Sequence, residues 1–279
     1  MEYKFQILVP GGNDTALVYG MTEGLEESYR KAIDVQIRDK YKNVEQVGFV
    51  GLANMDNPWL TMAGGEFCGN ATRAAAWYYL GGRPGSIEIA VSGVPYRLRA
   101  GVNGSLEAWS QIPVKNKKEI DSGTYLVELE GISHIVMSQE KSKQYLSILS
   151  KNPPEDGESK LKTLAKNILK QHDLLKQPAA GVMFLEDVND SLKMHPIVHV
   201  VNTQTLYYET ACGSGTAAVG VVMCKHDSGR ERISILQPTS KTINVTVERQ
   251  NASSYVEITG IIDVDDNSYS DVLSGRGLV

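Results

Sequence analysis

Cys68-Gly69-Asn70-Ala71-Thr72 and Cys212-Gly213-Ser214-Gly215-Thr216 are two similar stretches, half a chain apart, that decide the fold. Each is followed by a run of small apolar residues that predicts a helix. The sequence therefore places two thiols, each at the start of a helix, in two similar halves. Such an internal repeat of architecture is typical of a chain built from two related domains.

Strand-like segments surround both of these helices. Apolar periodicity predicts helices at 23–38, 70–80, 159–172 and 216–224, and strands at 5–9, 15–19, 45–51, 86–92, 96–100, 124–130, 182–185, 196–201, 233–236, 242–248 and 256–260. Turns are predicted at Gly11–Asp14 and Gly131–His134, and a surface loop at Asn152–Gly157. The predicted fold class is α/β (α+β), with two pseudo-symmetric domains that each wrap a curved, mostly antiparallel sheet around a central helix.

The length of 279 residues is too great for one typical core and favours two domains. A seam at Gln111–Pro113 separates an N-terminal domain (1–113) from a C-terminal domain (114–263), and residues 264–279 are expected to complete the first. The net charge of −5 gives no basic surface for nucleic acid or anionic lipid.

The cellular compartment is predicted from the apolar runs, the N-terminal pattern and the number of cysteines. No apolar run is long enough for a membrane-spanning helix, and the N-terminus has the pattern of a strand rather than of a secretory leader. Three cysteines are too few, and odd in number, for a disulfide framework. A cytoplasmic protein with no membrane or nucleic-acid partner is expected.

A cysteine at a helix N-terminus is well placed for acid–base chemistry. Its thiolate is favoured by the partial positive charge and the unpaired N–H groups there. The same N–H groups bind carboxylates, and glycines allow a ligand to approach closely. If the two turns face each other, an amino acid fits with its α-carbon between two sulfurs, so that one thiolate removes the α-proton while the opposite thiol returns one. This scheme needs no metal and no pyridoxal cofactor.

The simpler interpretation of a buried cysteine is a small hydrophobic residue. We prefer it for Cys224, which stands late in an apolar helix and has no glycine turn. Either thiol turn alone would be weak evidence for catalysis. The repeated context of Cys68 and Cys212 favours a catalytic pair.

The chain resembles the diaminopimelate epimerase family of cofactor-independent amino-acid racemases over nearly its whole length. The matching segments are Gly11–Asp14, Cys68–Asn70 with Arg73, Gly131–His134, and Ala211–Gly215. The resemblance implies two pseudo-symmetric domains with a site in the cleft between them, and allows a homodimer, since dimers are common in that family. It also implies that Cys68 and Cys212 are the acid/base pair and that backbone N–H groups hold the substrate carboxylate, namely those of Gly69, Asn70, Ala71, Gly213, Ser214 and Gly215.

Several departures argue against diaminopimelate as the substrate. Met62, Ile132 and Ala179 or Ala180 stand where that family has asparagines, and the usual Glu-Arg pair is absent from 200–208. An unpaired distal carboxylate would be costly to bury there.

A closer resemblance is to the histidine racemases that supply D-histidine for staphylopine-type metallophores. The matching segments are Glu45–Phe49, Glu66–Thr72, Cys212–Ala217 and Gln237–Pro238, and Glu209 also fits that group. The resemblance makes histidine the expected substrate.

Further candidate substrate-binding residues are polar side chains near the predicted turns: Asn13, Glu45, Gln46, His134 and Glu209. Asn13 and His134 have the alternative interpretation of turn residues, and Glu45 and Gln46 that of a solvated strand end. Glu209 is expected either to pair with the substrate ammonium or to cap its helix.

Two other groups are assigned structural roles. His195 and His199 have a spacing that suits zinc on a helix, but Pro196 argues against a helix, so no metal is expected. Arg73 is expected on the flank of its helix, paired with a carboxylate.

Two other functions remain open at this point. One is an isomerase of the same fold that shifts a proton within an unsaturated acid. The other is a ligand-binding or redox-sensing protein whose two thiols form a disulfide. Exchange of the α-hydrogen of an amino acid with solvent would separate a racemase from both.

Overall fold

The computed structural model describes residues 2–20, 23–53, 55–225, 229–250, 253–265 and 272–274. The α-helices in these ranges are α1 (Glu27–Lys40), α2 (Gly69–Leu80), α3 (Gln139–Lys151), α4 (Pro154–Gln171) and α5 (Gly213–Met223), with a 3₁₀ turn at Leu174–Lys176. Among the described residues, no helix combines the length and the apolar character needed to cross a membrane.

The strands follow in chain order: β1 (Glu2–Val9), β2 (Asp14–Tyr19), β3 (Val44–Val50), β4 (Trp59–Met62), β5 (Gly85–Val91), β6 (Arg97–Val102), β7 (Glu107–Asp121), β8 (Thr124–Leu129), β9 (Ile132–Met137), β10 (Ala179–Val188), β11 (Ser191–Val200), β12 (Thr205–Tyr208), β13 (Gly229–Leu236), β14 (Thr242–Gln250), β15 (Ser253–Ile261), β16 (Asp263–Val264) and β17 (Val272–Ser274).

The chain divides into two compact units. Unit 1 comprises Met1–Gln111 and Thr259–Val279, and unit 2 comprises Ile112–Ile258. The long strand β7 and the strand β15 each run through a boundary between them. Unit 2 is therefore one continuous stretch, whereas unit 1 is built from two separated stretches.

The sheet of unit 1 is mostly antiparallel. β1 pairs antiparallel with β2, β16 and β17, and antiparallel pairs also join β3 to β4, β5 to β6 and β6 to β7. β2 runs parallel to β3, and β4 runs parallel to β5.

The helices α1 and α2 use different faces of this sheet. Alternate strand residues such as Phe5, Val18 and Phe49 pack with Ile33 and Ile37 of α1 in one core. Successive strand side chains point to opposite faces, so the intervening residues face away from α1. α2 contacts β2, β4, β5 and β6 from that second face. Its small, buried residues allow the close approach.

Unit 2 also combines a mostly antiparallel sheet with helices. β8 pairs with β7 and β9, β10 with β11, β11 with β12, and β13 with β14, all antiparallel. β9 runs parallel to β10, and β11 to β13. Leu161 and Leu169 of α4 pack against Val182, Phe184 and Ile197 of the sheet. The helix α5 instead contacts β8, β9, β10 and β14.

The predicted turn at Gly131–His134 is wrong for most of its length. The turn is confined to Glu130 and Gly131, and Ile132 begins the strand β9. Every residue of β9 is buried, because the α4 core covers one face of the strand and α5 contacts it as well. A strand buried on both faces shows no alternation of polar and apolar residues, so the pattern gave no strand signal.

The predicted loop at Asn152–Gly157 is also wrong from Pro154 onward, because α4 begins there. Proline occupies its first turn, and Glu155 and Asp156 follow. Proline and acidic residues are favourable in the first turn of a helix, since they suit its missing acceptors and its dipole. The helix α3, which Ser138 caps through its side chain, is not predicted from the sequence.

Candidate active site

Cys68 is the N-cap residue of α2. Its Sγ accepts a hydrogen bond from Ala71 N at 3.4 Å. Its carbonyl accepts two more from Thr72, through N at 3.0 Å and through Oγ1 at 2.8 Å. A sulfur that replaces the usual Ser or Asp cap oxygen receives the field of the helix N-terminus, which favours a thiolate.

A chain of side chains connects Cys68 with the turn before β2. The Cys68 thiol donates to Gln46 Oε1 at 3.0 Å, and Gln46 Nε2 donates to Thr15 Oγ1 at 2.7 Å. The Thr15 hydroxyl donates to the Asn13 carbonyl at 3.0 Å. Because that hydroxyl proton is already used, Thr15 accepts from the Gln46 amide, which turns the Gln46 carbonyl toward the sulfur. Three predicted site residues, Asn13, Gln46 and Cys68, are thus brought together.

Glu45 lies at a β-bulge beside this series of hydrogen-bonded side chains. Asp14 pairs with Val44 and Thr15 pairs with Gln46, so Glu45 is the extra residue of a β-bulge. Bulges re-aim side chains and are frequent next to active sites. Asn13 is 3% exposed and has a φ of 56°, a left-handed conformation that asparagine tolerates.

Arg73 lies wholly inside unit 1. Its Nη2 donates to Asn70 Oδ1 and to the Pro10 carbonyl, both at 2.9 Å. The expected carboxylate pairing is therefore replaced by hydrogen bonds to two carbonyl oxygens. Burial lowers the pKa of Arg73 to about 10, and the nearby Cys68 opposes that shift, so the guanidinium stays charged at neutral pH. Arg73 joins the first turn of α2 to the segment before Asn13.

Cys212 repeats this cap at α5. Its Sγ accepts a hydrogen bond from Gly215 N at 3.3 Å. Its carbonyl accepts from Thr216 N at 2.9 Å and from Thr216 Oγ1 at 2.7 Å. Gln237 Oε1 accepts from Cys212 N at 3.0 Å, and Gln237 Nε2 donates to Thr216 Oγ1 at 3.1 Å. Gln237 therefore holds both the cysteine and the first turn of the helix.

Cys212 is more deeply buried than Cys68. It is 4% exposed, whereas Cys68 is partly exposed. Burial first, and the Glu209 carboxylate next, raise the pKa of the Cys212 thiol well above its usual value. Glu209 also makes a side-chain hydrogen bond to Cys212. That bond holds the proton on the sulfur, because a carboxylate accepts from a thiol and repels a thiolate.

A second line of contacts leads from Cys212 to β9. Ser214 Oγ lies 3.5 Å from Cys212 Sγ and 2.9 Å from His134 Nε2. His134 is fully buried, and this burial lowers its pKa to about 3, so the imidazole is neutral at physiological pH. With the proton on Nε2, His134 donates to Ser214, and the Ser214 hydroxyl is then free to donate to a Cys212 thiolate.

Gly215 is required by this packing. A Cβ at that position would lie 2.3 Å from Met183 Sδ and 3.1 Å from Cys212 Sγ. Any side chain there would push on the sulfur whose position the cap fixes.

Sequence comparison identifies the family of the chain. A family model described as the histidine racemase CntK N-terminal domain matches residues 2–267. The chain belongs to the histidine racemase family. It is an isomerase, a racemase, as the sequence analysis predicted.

Two histidine racemases show how similar individual relatives are to this chain in sequence. The histidine racemase of Fusobacterium nucleatum subsp. nucleatum (strain ATCC 23726 / VPI 4351) is 28% identical over 257 residues, which cover 85% of this chain and 89% of that protein. The histidine racemase of Staphylococcus aureus (strain Mu50 / ATCC 700699) is 23% identical over 228 residues, 78% of each chain.

Solved structures confirm the predicted fold class. A hydroxyproline epimerase from Agrobacterium vitis, with trans-4-hydroxy-L-proline bound, has a TM-score of 0.58 at 9% identity and covers 98% of this chain and 92% of its own. A predicted epimerase from Pseudomonas aeruginosa has a TM-score of 0.60 at 11% identity and covers 98% and 99%.

The histidines of β11 have structural partners in this racemase. His195 Nδ1 lies 2.5 Å from the Tyr208 hydroxyl, and its Nε2 lies 2.8 Å from Glu186 Oε1. His199 Nδ1 lies 2.8 Å from the Thr205 carbonyl. Within the ranges that the structure describes, no three His, Cys, Asp or Glu side chains are grouped so as to hold a metal ion. Cys224 is buried just after α5.

Three residues that support the two thiol turns were missed as site residues in the sequence: Thr15, Arg73 and Gln237. Arg73 and Gln237 occur within the family resemblance, but their roles needed the fold. The repeated threonine four residues after each cysteine, Thr72 and Thr216, was visible in the repeat and marks the residue that holds the cap carbonyl.

Proposed function

We propose that this racemase interconverts L-histidine and D-histidine without a cofactor, with Cys68 and Cys212 as the two acid/base groups. The observation that carries the proposal is the repeated cap, in which each sulfur accepts a first-turn N–H of a buried helix. A thiolate gains from that bond and from the helix dipole, so each cysteine has a means of holding negative charge.

A reversible two-base reaction requires each cysteine to act both as acid and as base. Each thiol has an acceptor for its proton, Gln46 Oε1 for Cys68 and Glu209 for Cys212. Each thiolate has donors as well, from Ala71 N in one case and from Gly215 N and Ser214 Oγ in the other. This double provision supports the proposed exchange of roles.

The proposed step moves one proton in and one proton out. A thiolate takes the α-proton, and the electron pair left on the α-carbon spreads into the carboxylate. The opposite thiol then gives its proton to the other face of that carbon. The sulfurs end with exchanged protonation states, so the pair titrates as a coupled system.

The substrate carboxylate is proposed to bind the first-turn N–H groups. Ala71 N and Gly215 N already point at the sulfurs. We therefore assign the carboxylate to the N–H groups of Gly69, Asn70, Gly213 and Ser214. First-turn N–H groups have no acceptor within their own helix. Their partial charge would stabilise the negative charge that develops on the carboxylate in the transition state.

Histidine is favoured over other amino acids by the names of the similar racemases from F. nucleatum and S. aureus. We assign the substrate ammonium to Glu209, and the rest of the substrate to Glu45 and Asn13, which lie at the bulge and the turn beside Gln46.

Incubation with L-histidine in deuterated water tests the reaction and the substrate together. We expect deuterium at Cα, detected by proton NMR, and D-histidine on chiral chromatography. A panel of other L-amino acids is the control. Exchange in another amino acid but not in histidine would overturn the substrate assignment, and exchange in none would overturn the racemase mechanism.

Cys68→Ser and Cys212→Ser test the two thiols separately. Each variant is expected to lower kcat by roughly 10²–10⁴-fold, because a hydroxyl is a far weaker acid or base at neutral pH. Cys224→Ser is the matched control and should keep full activity. Near-normal turnover in both directions by either catalytic variant would contradict the two-base scheme.

The metabolic role proposed for D-histidine is the synthesis of an opine-type metallophore, as the family resemblance implies. Deletion of the gene should abolish the metallophore in culture medium, and added D-histidine should restore it. Unchanged metallophore production by the deletion strain would separate this racemase from that pathway.

A further inference from the structure

The strand β12 ends at Tyr208, and the next residue, Glu209, makes the side-chain hydrogen bond to Cys212. The backbone of Glu209 continues the pairing with β11 through its N–H, which donates to the Pro196 carbonyl at 3.0 Å. Two residues opposed in this way normally exchange two hydrogen bonds, but Pro196 has no N–H to return. The backbone pairing with Pro196 therefore holds Glu209 by one hydrogen bond instead of two.

Three polar side chains join β10, β11 and β12 beside this incomplete pair. The His195 ring lies between the other two, with Nδ1 2.5 Å from the Tyr208 hydroxyl and Nε2 2.8 Å from Glu186 Oε1. His195 and Tyr208 are diagonal neighbours across the two strands, because Tyr208 lies opposite Ile197. We call Glu186, His195 and Tyr208 the His195 cluster.

The carboxylate of Glu186 sets the direction of both hydrogen bonds in the His195 cluster. A carboxylate accepts, so the proton of His195 is on Nε2, and Nδ1 accepts from the Tyr208 hydroxyl. Burial is the main cause of a lowered pKa of His195, which favours the neutral ring that this arrangement requires. Burial also raises the pKa of Tyr208, so its hydroxyl keeps the proton that it donates. The bond between Tyr208 and His195 thus has a defined donor and a defined acceptor.

The helices α4 and α5 lie on opposite faces of the sheet in unit 2. Ile135 of β9 packs in the core that α4 covers, whereas its neighbour His134 bonds to Ser214 of α5. Successive side chains of a strand point to opposite faces, so the two helices are separated by the sheet. Tyr208 packs against the same core as Ile135, which places the His195 cluster on the α4 face.

Glu209 leaves the sheet on the other face, because it follows Tyr208 directly and its N–H continues the strand pairing. Its hydrogen bond to Cys212, the N-cap residue of α5, agrees with this direction. The position of the Tyr208 ring on the α4 face therefore determines how the Glu209 side chain is presented to the thiol on the α5 face.

We infer that Tyr208 and His195 are positioning residues of this racemase, whose hydrogen bond compensates for the one that Pro196 cannot make and holds the Glu209 carboxylate against the Cys212 thiol. The inference rests on the proposed function, in which Cys212 gives up and takes up a proton while Glu209 accepts a hydrogen bond from its thiol. It adds two side chains from the far face of the sheet to those that control the proton of this cysteine.

Tyr208→Phe tests the bond, because it removes the hydroxyl and keeps the ring. The rate to be measured is that of Cys212 alkylation by iodoacetamide at pH 8, followed by peptide mass spectrometry. We expect alkylation to be roughly threefold to tenfold faster than in the natural chain, since a displaced carboxylate no longer opposes the thiolate. Tyr145→Phe is the matched control, because Tyr145 packs against the same core, and it should react as the natural chain does.

The effect of Tyr208→Phe must act through Glu209 if the inference is right. In a Glu209→Gln background, Tyr208→Phe should therefore leave the alkylation rate of Cys212 unchanged. A general loosening of α5 would instead speed alkylation by the same factor in both backgrounds, and that result would overturn the inference.

Variants of His195 test the same bond from its other side. His195→Leu removes the acceptor and should match Tyr208→Phe, whereas His195→Asn keeps an acceptor oxygen near the place of Nδ1 and should react more slowly than the leucine variant. Equal alkylation rates in the leucine and asparagine variants would show that the bond to Tyr208 does not hold Glu209, which contradicts the inference.

Racemisation distinguishes a failure of this inference from a failure of the proposed function. Tyr208→Phe should lower kcat for L-histidine by roughly threefold to tenfold, and an unchanged kcat would overturn the positioning role. Alkylation needs no substrate. If the natural chain does not racemise histidine, the proposed function fails, and the alkylation rates still decide whether Tyr208 and His195 position Glu209.

Discussion

Opposite charges accompany the two thiols. Glu209 stands three residues before Cys212, whereas a glycine holds the corresponding place before Cys68. Arg73 stands five residues after Cys68, whereas an alanine holds that place after Cys212. The two turns share a backbone cap but differ in charge, so the repeat supplies similar geometry with unequal electrostatics.

Glu209→Gln should increase the thiolate fraction of Cys212, because removing the carboxylate removes a cause of its raised pKa. We expect alkylation of Cys212 by iodoacetamide at pH 8 to become roughly tenfold faster, since the thiolate is the form that reacts. Peptide mass spectrometry measures the rate at each cysteine. Glu209→Asp, which keeps the charge, is the control, and an unchanged rate in the glutamine variant would contradict this origin of the raised pKa.

His134 should make the protein less stable in acid. Its folded pKa of about 3 lies below the ordinary value of 6.5, so the unfolded chain binds a proton in that window and the folded chain does not. Stability from this group is complete above pH 6.5 and falls as the pH drops toward 3, by about 2 kcal/mol at pH 5.

His134→Gln retains an amide donor near Ser214 and removes this titration. Urea unfolding at pH 7.5 and at pH 5 should show a smaller loss of unfolding free energy for the variant than for the natural chain. Equal losses would mean that His134 takes up a proton in the folded state.

The residues that hold the two cysteines could not all be predicted, because some of the contacts join residues far apart in the sequence. The two cysteines and their glycines were identifiable because each cap is made within four residues. The pairing of Cys212 with Gln237 spans 25 positions, and that of His134 with Ser214 spans 80. No local pattern encodes such a pair.

Secondary-structure elements were predicted best where a periodic pattern was complete. The helices α2 and α5 begin at their cysteines, as expected, because small apolar residues follow an N-cap. The strand β9 and the start of α4 were assigned wrongly. In β9, burial on both faces removes alternation. At α4, the Pro-Pro pair is typical of a loop, although proline also suits the first turn of a helix.

The close packing of α5 on β14 can be tested at Gly220. A Cβ there would lie 2.6 Å from both Cγ atoms of Val245, a fully buried β-branched residue that cannot move aside easily. Alanine favours a helix over glycine by about 1 kcal/mol, yet overpacking costs about 1–3 kcal/mol. We expect Gly220→Ala to lower the unfolding free energy.

Val245→Ala removes both Cγ atoms and so makes room for a Cβ at residue 220. The double variant should be more stable than the sum of the two single changes predicts, as measured by urea unfolding in a double-mutant cycle. If the two changes in unfolding free energy are strictly additive, a Cβ at residue 220 does not clash with Val245.

At the scale of the whole molecule, the proposed mechanism requires one substrate carbon to meet a sulfur from each unit. The repeat predicted both thiol turns, and the family resemblance predicted a shared site. Neither turn alone contains an acid and a base that act on opposite faces of one carbon.

Mild oxidation tests whether the two sulfurs can meet at one substrate carbon. Diamide takes two electrons and two protons from a pair of thiols, so thiols that serve one carbon are expected to form a disulfide and inactivate the racemase. Dithiothreitol should restore activity, and peptide mapping should find Cys68 joined to Cys212. Cys224→Ser should behave like the natural chain, and two free thiols after treatment would count against a shared site.

Unit 1 is built from two separated stretches of the chain, and this affects the order in which a nascent chain can fold. The strand β1 pairs with β16 and β17, which leave the ribosome after all of unit 2 has been translated. Unit 2 can therefore condense while synthesis continues, whereas the sheet that carries Cys68 must wait for its last strands. We expect ribosome-bound chains to protect Cys212 before Cys68, so that the enzyme is silent until β16 and β17 have been synthesised.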